Sequence, residues 1–256
     1  MLSYPKNGKS QMECRTMNIA GNNKGVIYAH KRYDLYGPVH KGLRHALGGI
    51  CFRTGSADIA DHQRLEAILA EWKRIVIILE AHSRDEDLHL DEVYMKYAPE
   101  TAKQLEVEHE MLDGKIKEIN KIVDKIQCPT TSVEECHRLW YMLSRSLDSF
   151  TSEYLIHLQR EEGPGMEALW GNLDDEQIHE LSVKIRSSIP PQAMMILLYY
   201  MLPAVTHADR FVIVSDMKRF APREFYEGVL RLAESRLDPQ SFSKLKSAVD
   251  RNSMES

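Results

Sequence analysis

Between Leu65 and Val93 an apolar stripe at helical spacing runs into histidine and glutamate without losing its phase. Leu65, Ile68, Trp72, Ile75 and Leu79 alternate three and four apart, and the same count continues onto His82, Glu86, His89 and Val93. A stripe of this period is the inward face of an amphipathic helix. Ionisable side chains on a face that must be buried cost several kcal/mol each, on the order of the penalty for any unpaired buried charge, unless something compensates them.

Two further segments repeat the pattern. A helix starting near Pro99 carries the seam Ala102, Leu105, His109, Leu112, Ile116, Ile119, Val123 and Ile126. Another, capped by Thr131 or Ser132, carries Val133, Cys136, Trp140, Leu143, Leu147, Phe150, Tyr154, His157 and Glu161, and Gly163-Pro164-Gly165 is expected to break it. A first helix begins at Pro38 and runs to about Phe52 with Leu43, Leu47 and Ile50 inward and His40 beside that seam. The His82 helix is expected to continue to about Lys96. Short connections make neighbouring helices antiparallel, so the sequence predicts an all-α fold, an up-down-up-down four-helix bundle over residues 33–172. Residues 1–32 are polar and aperiodic and read as a flexible N-terminal arm. Residues 173–256 read as a C-terminal helical extension, with helices near 175–187, 191–202, 207–219, 222–236 and 238–249. This extension is expected to pack on the bundle or to make an oligomer or protein-partner contact.

Composition narrows the function classes. The net charge is −5 with both signs interspersed, which gives no electrostatic footprint for nucleic acid. No apolar run approaches the roughly 20 residues of a membrane span, and the most apolar stretch, Ala193 to Leu202, reads as a buried helix. Cys14, Cys51, Cys128 and Cys136 form no Cys-x-x-Cys pair, which argues against a zinc ribbon or disulfide scaffold. With no apolar leader at the start, the expected setting is the cytoplasm.

The chemistry lies in a repeated His-x-x-x-Glu motif, His82/Glu86 and His157/Glu161. Residues four apart share a helix face, so each pair offers a nitrogen and an oxygen to one centre. Glu86 and His109 stand equally far from their common turn, at roughly 15 Å for 1.5 Å per residue. The other two turns close less evenly by the same count. One seam histidine is ordinarily a satisfied core residue, and a lone His-x-x-x-Glu is ordinarily a surface pair. Two motifs on seams, with His109 on a third and His40 beside a fourth, point instead to a metal site. Four imidazoles and two carboxylates suit two metal ions, and nitrogen and oxygen donors without thiolates favour iron or manganese over structural zinc.

The stretches Val39–Arg44, His82–Asp87, Leu105–His109 and His157–Glu162 together resemble the hemerythrin-like (HHE cation-binding) domain, over about residues 33–172. The resemblance implies His40, His82, Glu86, His109, His157 and Glu161 as ligands of two non-haem iron ions, iron ahead of manganese, with Glu86 and Glu161 bridging. Leu105 stands where the oxygen-carrying hemerythrins place a second histidine on the third helix. The set is therefore more similar to iron-sensing and iron–sulfur-cluster repair domains.

Other residues carry weaker expectations. His89 is a candidate extra ligand, and His207 either a ligand or a helix-start residue. Tyr154 reads as a core aromatic, while His45, Glu108 and Glu110 are expected to face solvent. Two functions follow: binding of O2 or NO, or sensing of iron or oxygen, and alternatively di-iron catalysis such as O2-dependent oxidation, peroxide or NO reduction, or cluster repair. A sealed apolar cavity would favour gas binding; an open polar one of a few hundred Å³, on the scale of ordinary ligand pockets, would favour a substrate.

Overall fold

Prolines and short polar caps set most helix starts in the computed structural model, which describes residues 32–252. Pro38 opens α1 (Gly37–Gly55), and the Asp61 side chain accepts from the Arg64 amide at the start of α2 (His62–His89). Pro99 opens α4 (Pro99–Gln127), and Ser132 caps α5 (Val133–Arg160) through the Glu135 amide. Among the described residues the structure is helical and contains no strand. Among the described residues no helix is long and apolar enough to cross a membrane.

Helices α1, α2, α4 and α5 line one core. Each of α1 and α4 packs against both α2 and α5. The seam residues meet there: Leu43, Leu47 and Ile50 from α1, Trp72, Ile75 and Leu79 from α2, Leu112 and Ile116 from α4, and Leu147 and Phe150 from α5. Trp72 sits edge-on to Phe150 at 5.7 Å and satisfies its indole N–H on Asn120 Oδ1 at 2.8 Å.

Two expectations about continuity are corrected. The His82 helix does not run unbroken to Lys96. It bends at Leu90 (φ −112°, ψ −24°), and a short α3 (Asp91–Tyr97) follows. The bend buries Leu90 completely and turns Tyr94 into a second cluster with Tyr36, Leu105, Met166 and Leu169.

Nor does Gly163-Pro164-Gly165 break the last long helix. Glu161–Gly165 form a π-helical turn that leads directly into α6 (Met166–Asn172), with the Met166 amide donating to the Glu161 carbonyl. In an α-helix the Pro164 ring would collide with the carbonyl four residues earlier, and a wider turn relieves that collision. Gly165 lets the turn pack closely on α3, since a Cβ there would stand 3.0 Å from the Tyr94 hydroxyl, tight enough that the tyrosine would have to shift.

The expected C-terminal helices are present as α7 (Asp175–Ser188), α8 (Pro191–Ala204), α9 (His207–Phe220), α10 (Arg223–Arg236) and α11 (Pro239–Asn252). They belong to the body of the fold. The helix α8 is apolar on both sides: Leu197, Tyr200 and Met201 join the core of the long helices, whereas Met194, Leu198 and Leu202 face Val214, Val229 and Leu245. The arm expected over residues 1–32 lies outside the described residues except for Arg32. That side chain is docked, with its guanidinium on Asp175 at 2.6 Å and on the Trp170 and Leu173 carbonyls at the end of α6.

Candidate metal centre

All six side chains singled out in the sequence converge at one end of the long helices. His40 comes from α1, His82 and Glu86 from α2, His109 from α4, His157 from the last turn of α5 and Glu161 from the π turn. Their donor atoms form two groups, His40, His82, Glu86, Glu161 and Glu86, His109, His157, Glu161, each with its atoms within 4.8 Å of one another. Both groups contain the same two carboxylates.

The oxygens divide between the groups. Glu161 Oε2 faces His40 Nε2 at 3.2 Å and His82 Nε2 at 3.7 Å, while its Oε1 faces His157 Nε2 at 2.8 Å and His109 Nε2 at 3.8 Å. Glu86 sends Oε1 toward His82 at 3.6 Å and Oε2 toward His109 at 3.4 Å. The His109 and His157 Nε2 atoms lie 3.1 Å apart.

The far side of three imidazoles is held by carboxylates. His40 Nδ1 lies 2.9 Å from Glu162, His109 Nδ1 2.8 Å from Asp87, and His157 Nδ1 3.1 Å from Glu108. Glu162 is gripped in turn by Arg44, and Glu108 by Arg160. A carboxylate at Nδ1 fixes the tautomer that leaves the Nε2 lone pair free for a cation.

Electrostatics follow from burial and this crowding. Burial opposes a charge on His40, but Glu161 and then Glu162 outweigh it and lift its pKa to about 9. His109 is subject to the same opposition, and Glu161 and Glu86 push it up to about 11. Burial and then the Glu161 charge raise Glu86, whereas the surrounding histidines hold Glu161 well below the usual carboxylate range despite its burial. Glu162 is pulled down to about 2 by His40 and Arg44 against its own desolvation.

The donor set fits a metal ion. His40 Nε2, His82 Nε2 and both oxygens of Glu86 and of Glu161 are buried without a hydrogen-bond partner. Protein interiors pair nearly all such atoms, and a cation among them would satisfy every one. A buried cluster of histidine and glutamate in this helical protein can therefore hold metal.

Several residues were assigned differently in the sequence. Glu108 does not face solvent; it is 6 % exposed and supports His157. Its spacing from Leu105 and Leu112, three and four, places it on the α4 seam and was the available signal. Glu162 was invisible because only the π turn directs it back to His40. Tyr36 and Tyr94, hydrogen-bonded to one another at 2.7 Å, were also missed; the Tyr36 ring stacks on His40 at 4.7 Å. His89 and His207 lie outside both donor groups. His207 is the first residue of α9, behind the Thr206 cap. His45 is exposed as expected, with Nδ1 on the Tyr200 carbonyl at 3.0 Å. Glu110 is exposed, and Tyr154 is a core aromatic edge-on to His157 at 5.7 Å.

A cavity of about 310 Å³ reaches Glu86 and His109 from the surface between α2, α3 and α4. Tyr36, Tyr94, Leu90, Ala102 and Leu105 form part of its wall. Comparison with known protein families, with characterised proteins and with solved structures returned no match.

Proposed function

We propose that this chain is a hemerythrin-like, non-haem di-iron protein built on a four-helix bundle of α1, α2, α4 and α5, and that its metal pair binds O2 or NO. The observation that carries this reading is the division of the two shared carboxylates, each with one oxygen toward either histidine pair. That arrangement suits two cations side by side, bridged by Glu86 and Glu161, with His40 and His82 on one and His109 and His157 on the other. Nitrogen and oxygen donors without thiolate support iron.

Bound iron would supply redox chemistry and an open coordination position for a small ligand. The chain's own residues orient and shield it. Asp87, Glu108 and Glu162 hold three imidazoles by Nδ1, and the apolar core beneath, from Leu79, Leu112 and Phe150, excludes water from that side. The Tyr36–Tyr94 hydroxyl pair stands beside the cavity as a buried hydrogen-bond donor.

One observation favours the enzymatic alternative. The cavity is solvent-open, partly polar and larger than a diatomic gas requires, which suits a substrate for di-iron oxidation or reduction. Anaerobic loading with ferrous iron, metal quantitation and a visible spectrum before and after air test both readings. Two irons per chain with a reversible oxygen-dependent band would support binding; two irons that oxidise without one would support catalysis. Absence of bound iron, or unchanged metal content in H82A/H157A, would overturn the di-iron assignment.

A further inference from the structure

The cavity beside Glu86 and His109 has an acidic outer wall. Glu106, Glu110 and Asp113 follow one another four and three apart on α4, and Asp87 and Asp91 stand at the end of α2 and the start of α3. Among the described residues no lysine or arginine lines the cavity, and Glu106, Glu110 and Asp113 make no ion pair. Like charges four apart weaken a helix, so the stripe does not serve stability. At the inner end stands Glu86, 6 % exposed, with both oxygens lacking a hydrogen-bond partner. Of the six clustered residues, Glu86 and His109 alone line the cavity.

Exposed carboxylates without a lysine or arginine among them, leading to a buried carboxylate that lacks a hydrogen bond, focus a field that draws cations inward and repels anions. We propose that this cavity is the path by which divalent metal ions reach the cluster, with Glu86 the first buried group to receive them. The proposal rests on the metal-centre reading. It adds a function for Glu106, Glu110 and Asp113, which touch none of the proposed ligands through an ion pair.

The test is the rate at which metal-free full-length protein takes up cobalt(II), followed by stopped-flow absorbance. In E106Q/E110Q the final cobalt content should equal that of the unaltered protein, while uptake slows about fivefold at low ionic strength, and the difference should vanish in high salt. The control, E66Q/E134Q, removes the same charge roughly 30 to 40 Å away along α2 and α5, at 1.5 Å per residue, and should not slow uptake. Equal rates in both variants and the unaltered protein would overturn the path. Failure of the unaltered protein to bind cobalt at all would instead remove the metal centre on which the path depends.

Discussion

Glu162 holds Nδ1 of His40 at 2.9 Å while Arg44, one turn along α1 from that histidine, grips the same carboxylate at 2.6 and 2.9 Å. The chain thereby orients an imidazole that is itself fully buried, using a carboxylate whose side chain is 34 % exposed. Weakening the acceptor without changing its shape tests this support. E162Q should lower metal affinity on the order of 10–100-fold, the usual effect of removing a carboxylate behind a ligating histidine. Competition against a chelator measures it, with circular dichroism as the check on folding. Unchanged affinity would reduce Glu162 to a surface partner of Arg44.

Glu86 sets metal binding against stability. Both its oxygens are buried without a hydrogen bond, and Glu161 adds a second carboxylate beside it. Burial and the Glu161 charge raise Glu86 on folding, so its ionised form costs stability, and E86Q, which keeps the shape and removes the charge, should stabilise the metal-free protein. That stabilisation corresponds to roughly 2–4 °C in Tm per kcal/mol for a chain of this size. The same variant should lose bound metal. Thermal unfolding in chelator, paired with metal quantitation, reads both effects. A lower Tm would mean that His109 needs Glu86 as a charged partner in the metal-free state.

The gathering of six polar side chains was legible because helical phase carries across a change of residue type: the count that places Leu79 inward also places His82 and Glu86. Phase does not report where a helix bends. The counted seam runs through His89 to Val93 and passes over Leu90, whose non-ideal backbone is set by the pocket that buries it. α-Helical geometry forbids proline at 164, so the sequence predicts a stop there, yet a turn widened by one residue accommodates it. Glu161 follows from the count that places His157, but the widening directs Glu162 back toward α1, which no 3.6-residue count contains. The second side of α8 was also hidden: an all-round apolar helix signals burial without naming its neighbours.

The raised histidines predict opposite pH trends with and without metal. A histidine whose pKa rises on folding contributes stability that is complete below its unfolded value, about 6.5, and is lost as pH climbs through the folded value. For His40 the folded value is about 9 and for His109 about 11. The metal-free protein should therefore lose stability as pH rises from about 6.5 to 9 and beyond. Metal takes the neutral imidazole, so binding must release these protons and strengthen over the same window. Melting curves from pH 6 to 9, with chelator and with saturating metal, should diverge as pH rises, and an indicator dye should register proton release on loading at about pH 7. Parallel curves would show that these histidines are not displaced from their protons by the ion.

Two glycines on α1 should respond to alanine with opposite signs. A Cβ on Gly42 would stand 2.6 Å from Met201 Cγ and 3.2 and 3.3 Å from the Met201 Cα and amide nitrogen. The methionine side chain can swing away, but the α8 backbone cannot, because α8 is packed on its other side by Val214, Val229 and Leu245. G42A should cost about 1–3 kcal/mol, the range for forcing atoms into a closed interface. Gly48 has nothing within 4 Å of its Cβ position, so G48A should stabilise by roughly 0.5–1 kcal/mol through the glycine's lost chain entropy. The first variant should also weaken metal binding, since Gly42 lies between His40 and Arg44 and any shift of α1 moves both. Chemical denaturation of the two variants, read beside their metal content, separates the cases. If both stabilise, α8 is not seated against α1 at Gly42. If G42A destabilises without loss of metal, then α1 can yield at that contact while His40 keeps its place, and the histidine is held by Glu162 more than by the packing of its helix.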